Sequence, residues 1–290
     1  MGSRRLLGSA AVLFAAATLA LAPAGAATAF RNAGTAALQV ALRARGFYPG
    51  TIDGIKGAAT NRALKRFQQS AGLPADGKLD PATRRALGPY GRHLFGTRTL
   101  ARGATGWDVA ALQFLLARHG FPSGPVDGDL GPRGQSALLR FQAWAGLAAD
   151  GVAGPATLRA LRRGPPRSIL RFAWPIAAPI GDRFGPRGAM FHTGLDFPAP
   201  YGTPVSAAGY GCVASVGWDP SGYGNLVVIR HRFGMTSWYA HLSSIAVSRG
   251  TCLLAGARVG TVGATGRATG PHLHFELRLR GAAVDPLTGL

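Results

Sequence analysis

The chain has 290 residues, of which 47% are hydrophobic and 15% are charged. This length suits two or three small domains, and the hydrophobic content excludes a disordered chain. The formal net charge is +20, for which a GC-rich coding bias and selection for an anionic partner are equally good explanations. No basic helix or aromatic-basic motif points to nucleic acid, so no nucleic-acid partner is expected.

The N-terminus has the pattern of an export signal. Arg4 and Arg5 precede an apolar run over residues 6–21, which is short for a membrane span. The small residues after it fit the small-x-small cleavage rule twice, at 24–26 and at 27–29. The sequence therefore predicts a cleaved signal peptide over residues 1–29, with an uncleaved membrane anchor as the alternative. Both place the rest of the chain outside the cytoplasm, and no stable membrane insertion is expected after cleavage.

An internal repeat follows the predicted signal. Residues 33–88 align without a gap with residues 107–162, so that Leu38 matches Leu112, 74 positions later. Both copies contain Leu-Gln, Gly-Phe, Asp-Gly, Phe-Gln, a second Asp-Gly and Pro-x-Thr, in that order. Apolar residues four positions apart, such as Leu38 and Leu42, predict amphipathic helices, and the Asp-Gly pairs predict turns. Each copy is therefore predicted to be a small all-α bundle of three helices.

This set of motifs resembles the peptidoglycan-binding repeat of bacterial wall hydrolases. The resemblance covers nearly all of both copies and implies a three-helix domain that adheres to peptidoglycan. Most matched residues are core or turn positions, so no individual ligand-binding residue is predicted. Bacterial peptidoglycan is the expected partner, and the positive charge adds anionic wall polymers as a second candidate.

The last part of the chain, residues 172–290, has a different pattern. Glycine and proline are frequent, and short runs rich in β-branched and aromatic residues alternate with turn signals, as around 225–229 and 273–279. This pattern predicts a mainly antiparallel β domain. Cys212 and Cys252 leave two alternatives open, a single disulfide closing a loop of about forty residues or two buried free thiols.

Histidine recurs in three short motifs of this domain: His192-Thr-Gly-Leu-Asp196, Tyr239-Ala-His241 and His272-Leu-His274-Phe-Glu276. Alternate residues of a strand share a face, so His272 and His274 point one way while Leu273 and Phe275 point into a core. Two imidazoles side by side on one face favour a metal site over a packing role.

A catalytic zinc site takes three nitrogen or oxygen ligands from the protein and leaves one position for water. His192, Asp196 and one histidine of the pair would supply that set. No His-Glu-x-x-His motif is present, so His241 and the other histidine of the pair remain for proton transfer and oxyanion stabilisation. The strand pattern does not distinguish which of His272 and His274 is the ligand.

These motifs resemble the lysostaphin-type zinc metallopeptidases of group M23. The surrounding sequence also matches, at Gly202-Thr-Pro-Val205 and at Val284-Asp-Pro286. The resemblance implies that His192, Asp196 and His274 bind one zinc ion and that His241 and His272 are catalytic. It further implies hydrolysis of peptide bonds in the stem peptides or cross-bridges of peptidoglycan. The two cysteines are not part of that family's pattern.

The sequence therefore predicts a secreted, wall-associated zinc endopeptidase. A catalytically silent scaffold that activates other wall hydrolases is the alternative from another class, and it would lack one or more of the five site residues. Glu276 shares the face of His274, but we expect an exposed strand carboxylate there rather than a hydrogen-bond partner of a ligand. The remaining histidines of the folded part are expected to be structural or surface residues: His93, His119 and His231.

Overall fold

The computed structural model describes residues 32–290, and the predicted signal peptide over residues 1–29 lies outside them. Up to residue 161 this part of the chain contains helices, and from residue 185 onward it is built mainly of short strands. No helix within residues 32–290 is both long and apolar enough to cross a bilayer.

Each repeat folds into the three predicted helices. The first repeat contains α1 (Ala33–Ala44), α2 (Ala58–Ser70) and α3 (Pro81–Ala86). A four-residue helix, α4 (Pro89–Arg92), follows in the segment between the repeats, where Pro89 can begin a helix without losing a hydrogen bond. The second repeat contains α5 (Trp107–Arg118), α6 (Pro132–Trp144) and α7 (Pro155–Leu161).

A buried glutamine holds each Asp-Gly turn of the repeats. Gln39 in α1 donates from Nε2 to Asp53 Oδ1 over 2.7 Å, and its Oε1 accepts the N–H of Gly54 over 2.9 Å. The same two bonds join the next three glutamines of this pattern to their own Asp-Gly pairs: Gln68, Gln113 and Gln142. Each turn places its glycine at a positive φ, 70° at Gly54, which favours glycine. The shared motif is therefore explained by folding, as a buried amide that satisfies a turn.

The core of the first repeat includes side chains of the second repeat because α1 packs directly against α5. Ala37 and Ala41 of α1 are fully buried, as are Ala110 and Ala111 of α5. Such small side chains allow the axes of two helices to approach closely. The repeats are therefore one packed unit rather than two independent domains.

The β domain contains two sheets and a separate hairpin, and all of their strand pairs are antiparallel. Its strands are β1 (Gly185–Arg187), β2 (Met190–His192), β3 (Leu195–Pro198), β4 (Pro204–Ser206), β5 (Gly211–Asp219), β6 (Gly224–Arg230), β7 (Met235–Ala240), β8 (Leu242–Ile245), β9 (Cys252–Leu253), β10 (Arg258–Val262), β11 (His272–Leu279) and β12 (Ala282–Val284). The large sheet has the order β12-β11-β7-β6-β5-β9, the small sheet has the order β4-β10-β8, and β1 and β2 pair only with each other. β3 pairs with the first half of β11, and β12 pairs with the second half of the same strand.

The strand β11 supplies residues both to the core and to the candidate site. Leu273, Phe275 and Leu277 are fully buried in a core formed by residues of both sheets. His272 and His274 lie on the opposite face, as the alternation predicts.

Cys212 and Cys252 form a disulfide that joins β5 to β9. The two residues lie opposite each other in the strand register and are 40 positions apart in the chain. β9 has only two residues, so few backbone hydrogen bonds hold this edge of the sheet. Of the two alternatives that the sequence left open, the structure has the disulfide.

Removing this crosslink should destabilise the β domain. We expect the double variant C212S/C252S to lose about 3–4 kcal/mol of unfolding free energy, because the unfolded chain regains the entropy of a forty-residue loop. Urea denaturation of the oxidised protein and of the variant measures the difference. Reductant should shift the midpoint of the wild-type protein and leave that of the variant unchanged, whereas equal midpoints throughout would contradict a stabilising role.

Candidate metal centre

A cleft of about 980 Å³ opens on the β domain, and all five residues predicted for the site line it. Its walls come from the β1–β2 hairpin, from the start of β11 and from loops near Tyr223 and Arg267. Within the described chain, every lining residue lies between 181 and 274, so the repeats leave this cleft uncovered.

Backbone pairing brings three of the five side chains together. Asp196 in β3 lies directly opposite His274 in β11. His192 ends β2, and the turn after it returns the chain to β3 within four residues. Gly194 in that turn passes against β11 so closely that a side chain there would overlap the carbonyl oxygen of Phe275. The short spacing between His192 and Asp196 therefore depends on glycine at 194.

The three side chains meet at one point. His192 Nε2 lies 3.1 Å from Asp196 Oδ1 and 3.1 Å from His274 Nδ1, and His274 Nδ1 lies 2.7 Å from Asp196 Oδ1. Both imidazoles are buried, and the carboxylate side chain is 13% exposed. Two nitrogens and one oxygen at such separations could hold one metal ion.

The outer hydrogen bonds of the two imidazoles decide which atoms face this point. His192 Nδ1 lies 3.0 Å from the carbonyl oxygen of Arg183, which can only accept, so this nitrogen carries the proton. His274 Nε2 likewise lies 3.0 Å from Glu276 Oε1. In the neutral rings the two inner nitrogens, His192 Nε2 and His274 Nδ1, therefore each carry a lone pair. Together with the Asp196 carboxylate they form a set of three acceptors without a donor, which fits a metal cation.

The charges around the site favour a cation at its centre. Burial alone would raise the pKa of Asp196, but the imidazoles of His192 and His274 beside its carboxylate hold that pKa well below the usual range. Burial would also lower the pKa of His274, yet Asp196 and Glu276 outweigh it and raise the pKa to about 9. A proton and a metal ion compete for the same place on His274, so metal binding there releases a proton.

His241 and His272 lie beside the three acceptors, and the centroids of their two rings are 4.7 Å apart. His241 Nδ1 lies 2.7 Å from the carbonyl oxygen of Thr265, and His272 Nδ1 lies 2.8 Å from that of Gly270. Each ring therefore carries its proton on Nδ1 and keeps a lone pair on Nε2. His272 Nε2 lies 3.8 Å from Asp196 Oδ1, so this nitrogen is close to the candidate metal position.

The backbone at His241 is unusual and fixes its side chain. Its φ is 60°, in the left-handed region that residues other than glycine rarely adopt. The N–H of His241 donates to the carbonyl oxygen of Tyr223 over 2.9 Å, which holds this conformation. Burial lowers the pKa of His241 to about 4, so the ring is neutral at neutral pH and can accept a proton.

The expectation for Glu276 was wrong, because this carboxylate is fully buried. Its Oε1 accepts hydrogen bonds from His274, from the hydroxyl of Thr193 at 2.5 Å and from the hydroxyl of Tyr223 at 2.8 Å, while its Oε2 pairs with Arg278 Nε at 2.6 Å. Burial would raise the pKa of Glu276, but Arg278 and His274 hold it well below the usual range. Glu276 is therefore an ionised carboxylate that fixes the orientation of His274.

Part of this network was visible in the sequence and part was not. Alternation along β11 places Glu276 on the face of His274, which is the signal for a hydrogen bond between them. Its burial depends on Tyr223, 53 positions earlier, and on Arg278, which lies over the ring of Trp238 at 3.7 Å. Neither contact follows from a local pattern.

Known proteins resemble about two fifths of the chain. The DD-carboxypeptidase/endopeptidase Mpg of Neisseria meningitidis is 44% identical over 115 residues, which are 39% of this chain and 26% of that protein. The peptidoglycan DD-endopeptidase ShyA of Vibrio cholerae is 43% identical over 109 residues, 38% of this chain and 24% of that protein. A crystal structure of a zinc containing peptidase from Vibrio cholerae has 37% identity, covers 40% of this chain and 39% of that one, and gives a TM-score of 0.38. The chain thus spans about a quarter of the length of these two curated relatives.

Family models cover most of the described chain. Residues 190–286 match the model for peptidase family M23. Residues 31–87 and 105–161 match the model for a putative peptidoglycan binding domain. The chain therefore carries a domain of peptidase family M23 behind two repeats of the peptidoglycan-binding family.

Proposed function

We propose that this chain is a zinc endopeptidase that hydrolyses peptide bonds in bacterial peptidoglycan and is held on the wall by its two repeats. The observation that carries the proposal is the convergence of three acceptors on one point beside two histidines that each keep a lone pair on Nε2. The names of the relatives support the same activity, since both are endopeptidases and one is named for peptidoglycan.

His192, Asp196 and His274 are the proposed metal ligands. Two imidazole nitrogens and one carboxylate oxygen are a donor set that would suit zinc. When bound, zinc supplies a Lewis acid that activates water for attack on an amide carbonyl. Glu276 holds the His274 ring so that Nδ1 stays directed at the metal position.

His241 and His272 are the proposed catalytic residues. Each ring has Nδ1 committed to a backbone carbonyl, so Nε2 can take a proton from the attacking water or give one to the departing amine. A protonated Nε2 also stabilises the negative oxygen that develops on the substrate carbonyl. Two histidines thus replace the glutamate base of peptidases that carry a His-Glu-x-x-His motif.

The rest of the proposal concerns location and domain limits. We place the signal peptide at residues 1–29, the repeats at 33–88 and 107–162, and the peptidase domain at 172–290. Export would bring the enzyme to the wall, where the repeats raise the local substrate concentration and the +20 charge attracts anionic wall polymers. The complete set of five site residues favours this enzyme over a catalytically silent scaffold.

Metal removal tests the proposal directly. We expect the mature chain, residues 30–290, to release new free amino groups from purified peptidoglycan, because hydrolysis of a peptide bond creates one amine. A chelator should abolish the release, and added zinc should restore it. Binding of a zinc-loaded sample to the wall without new amino groups would contradict the enzymatic proposal and favour the scaffold.

Substitutions should separate the ligands from the catalytic histidines. D196A and H274A are expected to lose both zinc and turnover, since each removes a ligand. H241A and H272A should retain zinc and lose turnover by about 10²–10⁴-fold, the usual contribution of general acid–base catalysis. Metal content by mass spectrometry and amine release measure the two properties. H93A, at an exposed position outside the cleft, is the control and should match the wild type in both.

Glu276 gives a further prediction because it contacts the metal ligand and not the cleft centre. E276Q should weaken zinc binding about 10–100-fold, since a neutral amide holds the His274 tautomer less firmly. The variant should also lose stability, because the partly buried Arg278 guanidinium loses its anionic partner. Competition with a chromogenic chelator measures the zinc affinity. Y223F removes one donor to Glu276 and keeps its charge, so a smaller loss is expected; equal affinity of all three proteins would reject this role of Glu276.

A further inference from the structure

Both repeats bind the tip of the hairpin formed by β1 and β2. The N–H of Ile52 donates to the carbonyl oxygen of Gly188 over 2.9 Å, and the N–H of Val126 donates to that of Ala189 over 2.8 Å. Ile52 and Val126 are equivalent positions of the two repeats. The same point of the repeat fold is thus used twice, on two adjacent residues of one turn.

The sheets of the β domain give this hairpin no strand pairing. Its strands have three residues each and pair only with each other, so neither sheet of the β domain extends to them. A two-stranded hairpin of this size has little stability of its own. It nevertheless carries the proposed ligand His192 at its end, and Arg187 Nη1 on its other strand lies 3.5 Å from Oδ2 of Asp196. The position of the hairpin therefore affects two sides of the metal site.

The second repeat also contacts the end of β11 and the strand β12. Ala282 is fully buried in the core of the second repeat. Trp144 Nε1 donates to the carbonyl oxygen of Leu279 over 3.1 Å. The N–H of Ala283 donates to the carbonyl oxygen of Gly120 over 3.3 Å. Gly120 and Val126 lie in the same loop between α5 and α6. One loop thus contacts both the hairpin that carries His192 and the strand beside the one that carries His274.

We propose that the two repeats are positioning elements of the metal site, in addition to any role in wall binding. They hold the β1–β2 hairpin by its tip and keep His192 at the distance from Asp196 and His274 that one metal ion requires. This inference rests on the proposed metal site and names the part of the chain that maintains it. A repeat that served only as a tether would leave metal affinity unchanged when its contacts with the β domain are loosened.

Two equivalent glycines offer a matched test in the full chain. Gly120 has a φ of 85°, and a side chain there would overlap the backbone of Ala283. Gly46 is its counterpart in the first repeat, with a φ of 79° and open space where the side chain would lie. G120A and G46A therefore share the cost of a left-handed alanine, and only G120A forces the loop away from the β domain.

The readouts are zinc affinity of the metal-free protein and hydrogen–deuterium exchange of residues 185–192. We expect G120A to weaken zinc binding about tenfold, in the range known for residues that support ligands, and to speed exchange in the hairpin. G46A should change neither, and exchange over residues 225–229 in the main sheet should stay the same in both variants. W144F removes one hydrogen bond to β11 without backbone strain, so it should shift both readouts in the same direction by a smaller amount.

The outcomes separate this inference from the proposed function. The positioning role would be overturned if G120A and W144F both had the same zinc affinity and the same hairpin exchange as G46A. A wild-type protein that binds no zinc would refute the proposed function, while faster hairpin exchange in G120A alone would still support a positioning contact. Faster exchange over residues 225–229 in G120A would indicate general unfolding, and W144F then decides the question.

Discussion

Two hydrogen bonds that point away from the metal site determine what the site can bind. His192 gives its proton to a backbone carbonyl and His274 gives its own to Glu276, so in the neutral rings both inner nitrogens carry lone pairs. Without these outer acceptors a neutral ring could keep its only proton on the inner nitrogen, where the proton would exclude a metal ion. Strand pairing supplies the third acceptor by placing Asp196 opposite His274. The chemistry of the site thus depends on groups that do not line the cleft.

The ion pair between buried Glu276 and partly buried Arg278 is costly by the usual standards of protein stability. Removing two charges from water requires several kcal/mol each, and an apolar pair of similar volume is often at least as stable. Here the carboxylate accepts four hydrogen bonds, and the guanidinium is covered by the ring of Trp238, which offsets much of that cost. Stability alone gives no reason for charges at this place. The position directly behind His274 gives one, because an ionised acceptor holds the imidazole more firmly than a neutral one.

The sequence contained much of the fold because its signals were local. Apolar spacing in the repeats and alternation along β11 follow from helix and strand geometry, and both appear in the structure. The grouping of His192 with the histidine pair 80 to 82 residues later came from the chemistry of zinc ligands, and the choice of His274 came only from resemblance. The burial of Glu276 and the contact of Val126 with Ala189 had no signal at all. Such contacts join side chains or backbone groups from distant segments, and the periodicity of one segment does not predict which other segment it contacts.

The core shared by α1 and α5 has a consequence for how the molecule comes apart. Loss of the first repeat would expose apolar surface on the second, and loss of the second would expose Ala282 of the β domain. Local opening in one part therefore weakens its neighbour, so the chain approaches a single cooperative unit rather than a series of separable modules. A protease in the surroundings finds few places where it can cut one part free and leave the others intact. The exported enzyme that we propose would gain lifetime from this arrangement.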